Sequence, residues 1–311
     1  MKVAITGVSG YLGQLLVKRL AAETAIDSIL GLDLAPSAAS SPKLTFVQAD
    51  VRTAPFAELF RGCDVVYHLA FIVEPRRNMP AAEIDEINVG GSERVFRGAA
   101  AAGVPKIVYS SSVAAYGAHA DNPEPLTEDS PLRPNPNWYY SRGKGAVERF
   151  LDEFQREHPA LIIIRFRPSI FLGPSVANSV GKLYGGPVLI CLDRRMKTDL
   201  CWDEDIVEAF YLALNYDHSD AFNLTGGDPC TADEFGSYLG RRVLHVGRPL
   251  AAGLVRLLCA LRLKSPAALE WMETGVTAAI LVSARRAREK LGWRPRYNSA
   301  AALKKYLESL R

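Results

Sequence analysis

A chain of 311 residues is long enough for two domains or one large one. With 48% hydrophobic and 23% charged residues it has a globular balance, which excludes disordered and fibrous classes, and a net charge of +3 is too small for a nucleic-acid-binding surface. The cysteines (Cys63, Cys191, Cys201, Cys230, Cys259) are scattered, odd in number and without a CxxC pair, which excludes a disulfide framework or zinc site and points to a reducing, cytoplasmic compartment.

Residues 3–6 read as a short buried strand that starts directly after Met1-Lys2, so no signal peptide is expected. The strand runs into Thr6-Gly7-Val8-Ser9-Gly10-Tyr11-Leu12-Gly13, followed by a helical pattern over 11–22. Gly7 suits a tight turn, Gly10 a close backbone approach to a pyrophosphate, and Gly13 close packing of helix on sheet. The helix start at Tyr11 and Leu12 adds free N–H groups and the positive end of the helix dipole. A second strand, 28–33, ends on Asp33, 20 residues beyond Gly13, where a carboxylate accepts the adenosine ribose hydroxyls of a dinucleotide. Leu34-Ala35-Pro36 carries no cation for a 2′-phosphate, so NAD is expected rather than NADP.

A third strand, 44–49, leads to Asp50-Val51, which either borders the adenine or serves as a turn acid. A short helix at 55–60, a strand at 65–69 and a long helix at 81–102 follow, the last ended by Gly103-Val104-Pro105. The strand at 106–110 delivers Tyr109-Ser110-Ser111-Ser112 to the edge where open parallel sheets bind ligands; the serines either face substrate or cap the turn. In the helix at 139–158, Tyr140 and Lys144 are four residues apart and share a face. An ammonium beside a phenol is expected to lower the Tyr140 pKa and suit it to acid/base work, although YxxxK pairs are commonly solvated helix pairs.

A strand at 161–166 completes the alternating part. Glycine-rich pieces follow, then a helix at 203–215, a strand at 221–224 and a mostly helical tail over 232–311. Strand–helix alternation predicts an α/β, Rossmann-type doubly wound parallel sheet with a smaller, mostly helical C-terminal substrate cap. The expected division is 1–168 plus about 198–225 for the dinucleotide domain, and about 169–197 and 226–311 for the cap. The greasy stretch 249–263 is interrupted by Arg256 and Arg262 and is too short to span a membrane, so no membrane partner is expected. It reads as cap core, an interface, or a shield over an apolar substrate such as a sterol.

Taken in order, Thr6 to Gly13, Asp33, His68-Leu69-Ala70, Asn88-Val89-Gly90-Gly91, Ser110 to Gly117, Tyr140 to Lys144, Arg167-Pro168, Gly173-Pro174 and Leu291-Gly292-Trp293-Arg294-Pro295 resemble the extended short-chain dehydrogenases/reductases. The likeness is to their NAD-dependent epimerase/dehydratase group, which includes UDP-glucose 4-epimerase, and covers nearly the whole chain. It implies a catalytic Ser112-Tyr140-Lys144 set, with Ser111 as the alternative serine. It implies that Leu69, Ala70, Ser110, Lys144 and Pro168 border the cofactor, that Asn88 tethers the sheet, and that the two long helices join a homodimer. Sugar-nucleotide 4,6-dehydratases carry an Asp-Glu pair after the active serine or threonine; Val113 and Ala114 stand there instead, which argues against elimination of water. Thr198 stands where sugar-nucleotide epimerases place a diphosphate-gripping Arg, while Arg194, Arg195 and Lys197 are near and either bind an anionic substrate or form a solvated loop.

The expected function is therefore an NAD-dependent sugar or nucleotide-sugar epimerase without metal. The same site in an alcohol or 3β-hydroxysteroid-type dehydrogenase is the alternative, and a non-catalytic NAD(P)-binding regulator is a more distant one.

Overall fold

The computed structural model describes residues 1–74, 79–175 and 179–310. Seven strands form one parallel sheet: β1 (Lys2–Thr6), β2 (Ser28–Asp33), β3 (Leu44–Gln48), β4 (Val65–His68), β5 (Lys106–Ser110), β6 (Ile162–Pro168) and β7 (Asp220–Leu224). Their order is β7-β6-β5-β4-β1-β2-β3, so the winding reverses between β1 and β4 and opens a crevice at their C-terminal ends.

Successive side chains of each strand point to opposite faces, and both faces are covered, so the central strands are apolar along their length. Val3, Ile5, Val65, Tyr67, Val108, Ile164 and Phe166 pack on one face against Leu16, Val17 and Leu20 of α1 (Tyr11–Ala21). Their intervening neighbours Ala4, Val66, Ile107, Tyr109 and Ile163 face the other way. There they meet Val95, Phe96 and Ala99 of α2 (Gly91–Ala101) and Val147, Leu151 and Phe154 of α3 (Tyr139–Glu157). The helix α4 (Asp203–Leu212) joins the first face through Ile206, Ala209 and Phe210.

The expected 81–102 helix is continuous but not uniform. Ala81–Asp85 is α-helical, Glu86–Gly90 widens into a π turn, and α2 follows. The widened turn buries Asn88, whose amide is clamped on the loop after β4: Ile72 N–H donates to Oδ1 at 2.6 Å and Nδ2 donates to the Ile72 carbonyl at 3.1 Å.

Beyond β6 the chain makes small pairings: Ile170–Leu172 with Leu200–Trp202, Lys197–Thr198 with Cys230–Thr231, and Leu189–Cys191 with Val243–His245. With α5 (Ala232–Leu239), α6 (Arg248–Ala260) and α7 (Ser299–Ser309) they cover separate clusters, one around Trp202, Phe235 and Leu303 and another around Leu192, Val255 and Met272. The tail also doubles back. Ala284, Ala287, Leu291 and Trp293 share the cluster of the first sheet face, and Trp293 Nε1 donates to the Asp205 carbonyl at 2.7 Å. Among the described residues no helix is long and apolar enough to cross a membrane.

Candidate active site

The crevice is walled by the loop between β1 and α1. Gly7 has φ +76°, and a Cβ there would lie 2.6 Å from the Ala70 nitrogen, so only glycine fits. A Cβ on Gly13 would collide with the Gly7 carbonyl oxygen and lie 2.8 Å from Val8 Cα. No side chain caps α1, and the N–H groups of Tyr11, Leu12 and Gly13 have no acceptor within the helix, the arrangement that receives an anion. Leu69 N–H donates to the Thr6 carbonyl at 3.1 Å, which fixes the end of β4 against this turn.

Beneath the loop His68 is fully buried, and burial pushes its pKa down to about 3, so it is neutral. The Ser92 hydroxyl donates to the Asn88 carbonyl (2.5 Å), so His68 Nε2 must donate to Ser92 (2.8 Å) and Nδ1 accept from Thr6 (2.7 Å).

Asp33 stands at the loop mouth, accepting from Ser9 N–H at 3.0 Å and from Leu34 N–H at 2.7 Å. A hydrogen bond to a charged acceptor contributes about 1.5–3 kcal/mol, so Asp33→Ala should raise KM for NAD by about 10–100-fold with little effect on NADP. Steady-state kinetics with both cofactors check this; an unchanged preference removes Asp33 from the ribose site. Asp50 takes the turn-acid arrangement: its carboxylate accepts from Arg52 Nη2 (2.6 Å) and Nε (3.0 Å) and from the Arg52 N–H (2.9 Å). Val51 packs against Gly91, where a Cβ would lie 2.6 Å from its methyl carbon.

Tyr11 adds something no local motif signals. Its hydroxyl donates to buried Asp203 at the start of α4, 192 residues away, and Gly173 packs where a Cβ would strike both groups. Burial and the Asp203 carboxylate hold the Tyr11 pKa well above the usual phenol range, so the start of α1 is tied to α4 by a neutral phenol.

The second wall comes from β5 and α3. Ser112 caps the short turn Val113–Tyr116, accepting from Ala114 N–H at 3.1 Å, and its hydroxyl stands close enough to the Tyr140 phenol to favour the ionised form. Ser111 turns inward instead and donates to Glu148 at 2.6 Å, so the alternative serine has its hydroxyl committed. Lys144 Nζ donates to the Ser110 carbonyl at 2.6 Å and lies 3.6 Å from the Phe71 ring centroid. Phe71, Trp138 and Tyr139 surround the Tyr140 ring at 5.7, 6.0 and 6.4 Å.

This electrostatic picture corrects the expected lysine effect. Burial raises the Tyr140 pKa, and only the Ser112 hydroxyl lowers it. The lysine reaches past the Tyr140 ring, 5.8 Å from its centroid, to the β5 carbonyl rather than stopping at the phenol. Burial also pushes Lys144 down to about 7, partly opposed by Glu148. Between about 7 and the ordinary 10.5 the unfolded chain therefore binds the extra proton, so this lysine makes stability rise with pH across that window. Lys144→Met should remove the slope: the wild type should gain stability relative to the variant as pH rises from about 7, read from denaturant midpoints. A pH-independent difference would show that the ammonium is not desolvated.

Behind the site lies a buried ionic network that the sequence reading missed. Glu148, fully buried one turn after Lys144, accepts from Arg167 Nε (2.8 Å) and Nη2 (3.0 Å) and from Arg165 (3.2 Å). Arg167 Nη1 also donates to the Tyr116 hydroxyl at 2.9 Å, which donates in turn to Asn223. YxxxK continued to a glutamate one turn on, together with the arginine pair on the next strand, was the available signal.

Pro168 ends β6 opposite Leu224. Next to it the Ser169 hydroxyl is buried without a partner among the described residues. Arg194 lies apart, lining a cavity of about 420 Å³ with Asp193, His245 and Arg248, while Arg195 and Lys197 are exposed. Thr198 is buried and its hydroxyl meets that of Tyr184 at 3.3 Å.

A family model described as the NAD dependent epimerase/dehydratase family matches residues 3–225. A UDP-glucose 4-epimerase of Mycolicibacterium smegmatis is 30% identical over 235 residues, 68% of this chain and 73% of that protein. One of Streptococcus mutans is 26% identical over 336 residues, 96% of this chain and 93% of its own length. Against a Mycobacterium bovis protein, 26% identical over 230 residues, the match spans 61% of the relative's length. MoeE5 in complex with UDP-glucuronic acid and NAD superposes with a TM-score of 0.79 at 22% identity, covering 100% of this chain and 99% of that one. A UDP-glucose 4-epimerase of Thermotoga maritima with UDP-glucose gives 0.77 at 22%, again over 100% and 99%. At such identities the superpositions show a shared fold.

Proposed function

The chain belongs to the NAD-dependent epimerase/dehydratase family, and from that premise we propose that it is an NAD-using enzyme that epimerises a sugar nucleotide at a secondary hydroxyl. The observation that carries this reading is the convergence of Ser112, Tyr140 and Lys144 at the C-terminal edge of β5, beside the glycine loop's crevice. The loop fits a dinucleotide: its first-turn N–H groups are uncapped, its glycines leave room only for backbone, and the Ser169 hydroxyl next to Pro168 is an unpaired donor suited to a carboxamide. Gly7, Gly10, Gly13, Asp33, Leu69, Ala70, Ser110 and Pro168 are assigned to that cofactor. Bound NAD supplies the two-electron acceptor for oxidising an alcohol and the donor for reducing the ketone again.

The chain's own groups manage the proton. Tyr140 Oη takes it from the substrate hydroxyl and returns it, and the Ser112 hydroxyl holds the reacting oxygen. Lys144, when charged, stabilises the phenolate and the ribose side of the cofactor. Val113 and Ala114 carry no exchangeable proton, so nothing beside Ser112 assists elimination of water. The segments 169–197 and 226–311 are assigned to substrate, and the helices over 81–102 and 139–158 to a homodimer interface.

The wall of Phe71, Trp138 and Tyr139 around Tyr140 favours a second reading, oxidation of an apolar alcohol with net release of NADH. Incubation with NAD and UDP-sugars separates the two. Epimer appearing by NMR without accumulating NADH absorbance is the expected result; sustained NADH formation would overturn epimerisation.

A further inference from the structure

We infer that α6 is a membrane-docking helix that lays a leucine stripe on the surface of an anionic lipid bilayer. Leu250, Leu254 and Leu257 on the helix, and Leu261 just past it, are each more than half exposed and recur every three or four residues, which places them on one face. Leu263 extends the patch past the helix end. Five of the eleven exposed large hydrophobic side chains among the described residues thus fall within 14 residues of chain. The opposite face, carrying Ala252, Val255 and Cys259, is the one packed on the protein, against Leu192, Met272 and Val276. The exposed stripe is therefore not the helix's share of the core.

The charge around the stripe selects the partner. From residue 246 to 269 the chain holds four cations, Arg248, Arg256, Arg262 and Lys264, and no acid, in a protein whose charges otherwise nearly balance. Arg248 and Arg256 are partly engaged, by Asp193 at 3.9 Å and by Glu273. Arg262 and Lys264, at the C-terminal end of the stripe, are exposed and have no ion-pair partner among the described residues. An apolar stripe that ends in two unpaired cations complements acyl chains beneath anionic headgroups. A second copy docking here would set the exposed Arg262 and Lys264 of one rim against those of the other, while the nearby Glu273 is already engaged by Arg256. The helix lies in the interface plane and does not span, so the length argument against a crossing segment does not touch it. The inference is independent of the catalytic reading, and each can fail without the other.

Flotation of the full chain with vesicles of phosphatidylcholine, with and without a phosphatidylglycerol fraction, tests it. The protein should float with the anionic vesicles only and be released by added salt. Leu254→Glu/Leu257→Glu should weaken this partition by about tenfold or more, and Arg262→Glu/Lys264→Glu by at least about fivefold for each cation removed. Both variants change exposed groups, so melting temperature and NADH binding should match the wild type, which separates lost docking from lost folding. Equal recovery of wild type and variants with both vesicle types would overturn the proposal. So would a dimer in sedimentation equilibrium that Leu254→Glu/Leu257→Glu converts to monomer while vesicle binding is absent, an outcome that gives the stripe to a second copy.

Discussion

Replacing Tyr140 by Phe should lower turnover by about 10²–10⁴-fold while leaving the melting temperature and NADH binding close to wild type. The substitution removes one oxygen and keeps the ring, so the edge contacts with Phe71 and Trp138 persist. Among the described residues the Ser112 hydroxyl is the neighbour that favours the ionised phenol, and it retains the Ala114 N–H, so no buried charge is stranded. The loss therefore falls on proton transfer and not on the scaffold. The sign of the pKa effect strengthens the expectation. Burial holds the phenol in its neutral form, so Tyr140 starts as an acid and becomes a base only where something charged offsets its desolvation. Lys144 is the group placed to do so, and with its pKa near 7 its own charge is conditional. Single-turnover oxidation of a competent substrate reads this step directly. Activity of the Phe variant within tenfold of wild type would remove Tyr140 from catalysis and turn attention to the non-catalytic regulator.

The sheet was legible because its signal is local and redundant. β2 and β5 begin and end where the expected runs do, and the runs are largely apolar because helices cover both faces of the sheet. The glycine loop was legible for a related reason: Gly7 and Gly13 answer steric demands set within a few residues and by the adjacent strand end. What remained hidden depends on long-range meetings. Asp203 gains its meaning from Tyr11, and Trp293 its burial from α4, although each belongs to a segment that reads locally as ordinary helix or turn. The two serines show the limit within a motif. Ser111 and Ser112 are alike in residue type and the resemblance alone ranks them, whereas the structure sends the Ser111 hydroxyl to Glu148 and sets the Ser112 hydroxyl beside Tyr140. The π turn at Glu86–Gly90 was also invisible, since Asn88 is an ordinary helix residue until its amide finds the Ile72 backbone.

The buried Glu148 is where stability and chemistry meet, and Glu148→Gln should disturb both. Burial alone would raise this carboxyl, but Arg167 and Arg165 hold it down at about 2, so it is charged throughout the neutral range. Neutralising it leaves Arg167 buried beside an amide, and breaking such a pair costs about 3–5 kcal/mol, on the order of 10 °C in melting temperature for a chain of this size. The sign with pH is fixed as well. A carboxyl at about 2 in the fold and at 4.5 in its ordinary state contributes stability above about pH 4.5, and that contribution is lost as pH falls towards 2. The wild-type advantage over Glu148→Gln should shrink through that acid window. Glu148→Gln/Arg167→Met, which removes both charges, should recover part of the loss, whereas independent roles would make the two effects add. The catalytic consequence runs through Lys144, because the Glu148 charge is the one influence that raises that lysine against its burial. Without it the ammonium is lost at lower pH, and the activity profile of the surviving Glu148→Gln enzyme should shift towards acid. A purely structural glutamate would lower the amount of active protein and leave the profile in place, so an unshifted pH–rate curve alongside a lowered melting temperature would confine Glu148 to the scaffold.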